Sequence, residues 1–362
     1  MKKLKESRWI NMNINNLLEQ TFKQQASDLH LVVNYLPTLR VNGNLIPLLG
    51  QEILTAEMIE ELVFNLLSPE QKEQFLANKE LDISYATDLA RFRVNLYFQK
   101  GAMAAAFRLL PFKISTVEEL NLPEICHTFA GLRQGFILVT GPTGHGKTST
   151  LAAIVNEINQ NRPCHIMTIE DPIEYVYPKA KAMISQREMH SDTHGWEVAL
   201  RASLREDPDV VLVGEMRDYE TIASALTIAE TGHLVFATLH TNSAAQTIDR
   251  IVDVFPEGSK AQVKMQLAGS LEGILSQRLL PSLEGGRIPA CEILLASSAV
   301  RSTIREGKTH LIDNIIQTSA DLGMVSLEQY LVKLVKSGKI SSQTAEEYAL
   351  RPEELVKQLK GK

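Results

Sequence analysis

The sequence predicts an α/β protein in two parts, a smaller α+β domain followed by a larger domain on a mostly parallel sheet. Three observations carry this. Residues 136–140, 166–169, 210–213 and 234–239 are short, almost wholly apolar runs separated by segments of helical period. Strands apolar on both faces and spaced by helices belong to parallel sheets covered on both sides. Residues 29–109 instead hold short alternating runs broken by turn residues, the pattern of an antiparallel sheet. Between them, Pro111-Phe112-Lys113-Ile114-Ser115 and Leu120-Asn121-Leu122-Pro123 interrupt all periodicity. The expected division is an N-terminal extension at 1–11, an α+β domain at 12–110, a hinge at 111–122 and an α/β domain with a helical C-terminal region at 123–362.

In chain order, Ile14 to about Ala26 reads as a helix. Strands are expected at 29–33, 39–41 and 45–48, the last two joined by a turn at Asn42-Gly43. Thr55 is a helix N-cap ahead of Met58, Ile59, Leu62, Val63 and Leu66 on one face, and Ser68-Pro69 opens another helix to about Lys79. Strands follow at 82–85, 90–97 and 102–109. Beyond about Ser259 the period is helical, apart from a strand at 291–295.

Composition excludes several classes. With 362 residues, 44% of them hydrophobic, the chain has material for a sizeable core, and a net charge of −6 gives no global reason to expect nucleic acid. Cys126, Cys164 and Cys291 form no paired motif, which points to a reducing compartment without structural zinc. Lys2, Lys3, Lys5 and Arg8 lead into no apolar stretch, so no signal peptide is read. No run approaches the roughly 20 residues that span a bilayer, so membrane association is expected through a partner.

Chemistry concentrates after residue 136. Gly141-Pro142-Thr143-Gly144-His145-Gly146-Lys147-Thr148 fits the phosphate-binding pattern at every fixed position, between an apolar strand and a helical segment that begins with Lys147, Thr148 and Ser149. Glycines let backbone N–H groups turn around a polyphosphate, and the helix N-terminus adds its positive dipole end. Lys147 then reaches the β- and γ-phosphates of ATP, and the Thr148 hydroxyl serves Mg²⁺. His145, at a variable position, reads as a bystander that contributes only backbone.

Four clusters follow. Thr168-Ile169-Glu170-Asp171-Pro172-Ile173-Glu174-Tyr175 puts carboxylates at a strand end, where one can orient an attacking water. Asp209-Val210-Val211-Leu212-Val213-Gly214-Glu215-Met216-Arg217-Asp218 is an apolar strand delivering Glu215, suited to Mg²⁺ through water. A strand at 234–239 is bracketed by His233 and His240, either of them a candidate to contact a phosphate oxygen. Arg91, Arg93 and Arg108 lie on neighbouring strands of the first domain, a source of charge for a transferring phosphoryl group or a solvated basic face.

Taken together, these clusters resemble the secretion and pilus ATPases, RecA-like hexameric motors, over nearly the whole chain from about residue 12. The resemblance implies a PAS-like first domain whose Arg93 and Arg108 reach nucleotide, a general-base glutamate at Glu174 or else Glu170, a Mg²⁺-associated glutamate at Glu215, and a phosphate contact from His240. It is strongest to the type IV pilus retraction subgroup. That subgroup carries A-I-R-N-L-I-R-E where this chain has Ala299-Val300-Arg301-Ser302-Thr303-Ile304-Arg305-Glu306, departing at Val300, Ser302 and Thr303. His145 departs too, where the family usually has a small residue. Arg217 and His233 belong to the family motifs. The subgroup further implies a homohexamer in the cytoplasm, peripheral at the inner membrane through a PilC-like platform protein, with an accessory retraction ATPase as a further partner. Assembly, accessory retraction and type II secretion ATPases of the same family are the alternative roles, with a nucleic-acid translocase on the same RecA-like core a more distant one.

Overall fold

In the computed structural model, residues 12–110 and 113–360 are described. The expected extension at 1–11 and the hinge residues Pro111 and Phe112 lie outside them. The chain divides into two compact units, one running to Lys113 with Glu174–Val176, the other comprising Ile114–Ile173 and Tyr177–Lys362.

The first unit is an antiparallel six-stranded sheet of β1 (Asp28–Leu31), β2 (Thr38–Val41), β3 (Asn44–Pro47), β4 (Glu80–Ala86), β5 (Arg91–Gln99) and β6 (Ala102–Leu109), in the order β3-β2-β1-β6-β5-β4. Helices Ile14–Lys23, Ala56–Phe64 and Pro69–Asn78 accompany it, the second capped by Thr55 and the third by a Ser68–Gln71 capping box. Strand pleating sorts the side chains. Phe92, Val94 and Leu96 of β5 are buried with Phe107 of β6, while Arg91, Arg93 and Asn95 alternate with them.

The second unit has seven strands: β7 (Gly135–Thr140), β8 (His165–Glu170), β9 (Met183–Glu188), β10 (Val210–Val213), β11 (Leu234–Leu239), β12 (Leu271–Pro281) and β13 (Arg287–Leu295). Their order is β13-β12-β7-β11-β10-β8-β9. Every pairing is parallel except β12 with β13, so an α/β sheet carries one antiparallel edge strand. The α/β class with a smaller α+β unit is therefore as expected.

Two strands escape the sequence reading. β9 is a half-exposed edge strand whose Ser185, Gln186, Arg187 and Glu188 give no apolar run. β12 lies in the region expected to be helical. Its Leu271, Ile274, Leu275 and Leu279 mimic a helical period because most of the strand is covered on both faces.

The core joins Phe136, Leu138, Ile169, Val211 and Val213 of the sheet to Ile222 and Leu226 of helix Tyr219–Glu230 and Ile248 of helix Ala244–Asp253. Leu280, Ile288 and Ala290 of the β12–β13 hairpin form a second cluster with Leu327, Leu331 and Leu355 of the last helices.

Candidate active site

Register brings the strand ends together. Thr140 pairs with Leu239, Ala237 with Val213 and Val213 with Ile169, so β7, β11, β10 and β8 finish along one edge of the sheet. Ligands in open α/β sheets bind at that carboxyl edge. The loop at 141–146 leaves β7 there, with Gly141, Gly144 and Gly146 all at positive φ. Gly146 caps helix Lys147–Asn161 in the left-handed conformation with no side-chain cap bond, and the positive end of the helix opens onto the loop. Gly141 is required twice over. Its φ is +141°, and an added Cβ would lie 2.2 Å from the Gln277 carbonyl oxygen of β12.

Lys147 is buried, and its Nζ donates to the carbonyls of Gly141 at 2.8 Å and Pro142 at 3.0 Å. It also lies 3.3 Å from His240 Nδ1, which is 3.2 Å from Thr143 Oγ1. An ammonium only donates, so Nδ1 is the acceptor, and the ring proton sits on Nε2, 2.8 Å from Glu215 Oε1. Arg217 Nε holds the same oxygen at 2.7 Å from a side chain that is 78% exposed. Burial raises the Glu215 pKa, but the Arg217 hydrogen bond, the neighbouring His240 and the charges of Arg217 and Lys147 outweigh it, leaving the carboxyl below its ordinary range.

Backbone bonds fix Glu215. The Gly214 N–H donates to Ile169 O at 2.8 Å, and its carbonyl accepts from Thr238 Oγ1 at 2.6 Å. A Cβ at residue 214 would lie 3.1 Å from Ile169 O, which explains the glycine ahead of the acidic residue. Behind His240, the Ser243 side chain caps helix Ala244–Asp253, and buried Glu292 of β13 accepts the Ala244 N–H at 2.7 Å.

His145 is no bystander. Its Nδ1 accepts the Leu279 N–H at 3.0 Å and its carbonyl accepts from Gln277 Nε2 at 2.8 Å. Burial first, then the charges of Arg278, Lys147 and Arg287, lower its pKa and favour the neutral ring this acceptor needs. Arg287 Nη1 reaches Gly144 O at 3.3 Å, so the β12–β13 hairpin touches the loop at several points. Sequence reasoning missed this flank. The hairpin signal was available in Gly285-Gly286 between two apolar runs.

The other candidates lie as follows. Glu170 ends β8, buried, with Oε1 accepting from Thr168 Oγ1 at 2.6 Å and Gln186 Nε2 at 3.2 Å. Glu174 is half-buried in the irregular segment beyond it. Arg93 and Arg108 are direct cross-strand partners on β5 and β6. Arg108, with 70% of its side chain exposed, bonds Asp28 at 3.0 Å, and Arg93 lies 3.6 Å from Asp82. His233 needs correction as a phosphate contact. It precedes β11 at the edge opposite His240, about 20 Å away at the rise of a strand, with Nδ1 3.0 Å from Ile228 O.

The comparisons bear on this geometry. A family model described as Type II/IV secretion system protein matches residues 3–310. The chain belongs to that family. It is 46% identical over 343 residues to the type IV pilus retractation ATPase PilT of Pseudomonas aeruginosa, covering 94% of this chain and 99% of the relative. To the type IV pilus ATPase PilU of the same organism it is 36% identical over 336 residues, covering 92% and 88%. A crystal structure of the pilus retraction motor PilT with bound ADP superposes with a TM-score of 0.90 at 41% identity, covering 96% of this chain and all (100%) of that one.

The retraction-type motif of this family member divides into an internal and an exposed part. Arg301 Nε donates to Ala296 O at 3.1 Å, Nη1 to Ala268 O at 2.7 Å and Gly269 O at 2.9 Å, and Nη2 pairs with Glu272 at 2.8 Å. It pins the end of helix Glu257–Ser270 to the start of helix Ser298–Glu306. Arg305 and Glu306 are exposed, Glu306 pairing with Lys308 at 2.8 Å.

Proposed function

We propose that this chain is the ATP-hydrolysing subunit of a motor that powers type IV pilus retraction by disassembling the pilus. The observation that carries it is the convergence of Lys147, His240 and Glu215 on the glycine loop at the sheet's carboxyl edge. Relatives named as retraction ATPases, matched over almost the full chain, support the cellular role.

In this reading the N–H groups of residues 141–149 and the Lys147 ammonium bind the phosphates. The oxygen donors Thr148 and Glu215 suit a hard cation that keeps several waters, so these residues fit Mg²⁺, which supplies charge neutralisation on the phosphates when bound. Glu174, or else Glu170, orients the attacking water. His240 lets go of Glu215 and donates its Nε2–H to a phosphate oxygen, and so couples phosphate occupancy to the residues around Glu215. Arg93 and Arg108 stabilise charge on the transferring group. The working form is a cytoplasmic homohexamer acting through a membrane platform protein, alone or with an accessory ATPase. No helix among the described residues is long and apolar enough to cross a membrane.

The test is phosphate release by the purified chain, together with pilus retraction in cells lacking their own retraction ATPase. Lys147→Ala is expected to lose both, and single-stranded DNA to leave turnover unchanged. A chain that hydrolyses ATP but restores retraction only beside an active partner ATPase is an accessory motor. Mixed oligomers of Lys147→Ala and Arg108→Ala subunits recover turnover if the arginine serves a neighbouring chain's nucleotide.

A further inference from the structure

Gln277 is 2% exposed, on the strand the sequence reading took for helix, and belongs to none of the motifs. It follows Ser276, where β12 stops pairing with β7, so its side chain lies beside the loop that leaves β7 at Gly141. Its Oε1 accepts the Thr150 hydroxyl at 2.7 Å, and its Nε2 donates to the His145 carbonyl at 2.8 Å. The amide orientation is fixed by chemistry, because a carbonyl can only accept. His145 and Thr150 bracket Gly146, Lys147, Thr148 and Ser149, the segment to which the proposed function gives the phosphates. One buried carboxamide thus ties both ends of that segment to a single point on the sheet.

We propose that Gln277 is a positioning residue for the nucleotide site, holding the phosphate loop and the first turn of its helix at the separation that phosphates require. The proposal rests on the reading of residues 141–149 as the nucleotide site. The clamp has no group to offer the transition state, so its effect falls on affinity. The loop's glycines make a fixed separation necessary, since a glycine-rich loop released at one end has many other conformations open to it. Backbone contact adds to the side-chain bonds: the Gln277 carbonyl abuts Gly141, and the Leu279 N–H takes His145 Nδ1. Asn in place of Gln is one methylene too short to reach both partners.

The experiment uses the full chain, a fluorescent ADP analogue, steady-state ATP hydrolysis and thermal unfolding. Gln277→Met keeps length and volume without the polar ends. Its Kd for ADP and KM for ATP are expected to rise about tenfold, the loss of two buried hydrogen bonds, with kcat changed less than about threefold. Thr150→Val is expected to weaken ADP about threefold, the loss of one. The double variant is expected to be no weaker than Gln277→Met alone, because Thr150 acts through Gln277. A folded Gln277→Met with Kd and KM at parental values but a lower Tm overturns the clamp and leaves a structural residue. Effects that multiply in the double variant overturn it as well. If Gln277→Met does not fold, Thr150→Val decides alone, and parental affinity there is the negative result. Lys147→Ala separates the premises: retained ADP binding in that variant overturns the nucleotide site and the clamp with it, whereas lost binding beside an indifferent Gln277→Met overturns only the clamp.

Discussion

On one flank of the phosphate loop, Glu215 gathers the Arg217 guanidinium and the His240 N–H in short contacts open to solvent; on the other, Gln277, Thr150 and His145 meet in neutral bonds against the hairpin. The flanks divide the labour of a phosphate site. Charge placed where a phosphoryl group changes its own charge acts on turnover, while buried neutral bonds hold a backbone shape and act on affinity. Substitutions on the first flank should therefore move kcat and on the second KM.

The largest expected effect tests the neutral flank. Gly141→Ala forces a methyl against Gln277 O at a backbone angle only glycine tolerates. A loss of about 3 kcal/mol or more in stability and at least a hundredfold in ADP affinity is expected, read by thermal unfolding and nucleotide titration. On the charged flank, Glu215→Gln should lower kcat about 10²–10³-fold while ADP affinity stays near parental; a matching loss of affinity would erase the contrast. Arg217→Ala should be mild, less than about threefold in kcat and shrinking with added salt, because an exposed ion pair is screened.

The smallest effect concerns the support behind His240. Burial, partly offset by the Ala244 N–H and Arg351 and reinforced by Asp313 and Glu328, pushes Glu292 up to about 7. A carboxyl whose folded pKa is raised is stabilised in its protonated form. Its contribution is present below about pH 4.5 and lost as pH rises through about 7. Glu292→Gln should flatten the fall in Tm across that window without changing KM, and a Tm profile unaltered by the substitution would remove Glu292 from the support of this flank.

The same contrast explains what could be read from the chain. Glu215 and His240 stand just beyond strands whose apolar runs announce themselves, and Lys147 opens the helix that follows the glycine loop after another; polar groups there have few bland readings. β7, β8, β10 and β11 were legible for that reason. Gln277 was not: it is neutral, isolated and set in a strand buried on both faces, where period cannot separate strand from helix. His145 was misjudged because a motif describes what a loop does for its ligand and not what holds the loop. His233 and His240 look alike in sequence, and only the direction of β11 sets them at opposite edges. Arg93 and Arg108 could be placed on neighbouring strands, yet their register and their ties to Asp82 and Asp28 emerge only in the fold.

Arg301 has a different relation to mutation. Three of its four acceptors are main-chain carbonyls, at Ala268, Gly269 and Ala296. A carbonyl is supplied whatever side chain a position carries, so this pin is blind to the identity of most of its neighbours. The departures at Val300, Ser302 and Thr303 fall on residues its hydrogen bonds never use. A lineage can let those three positions drift while the guanidinium goes on joining the same two helices.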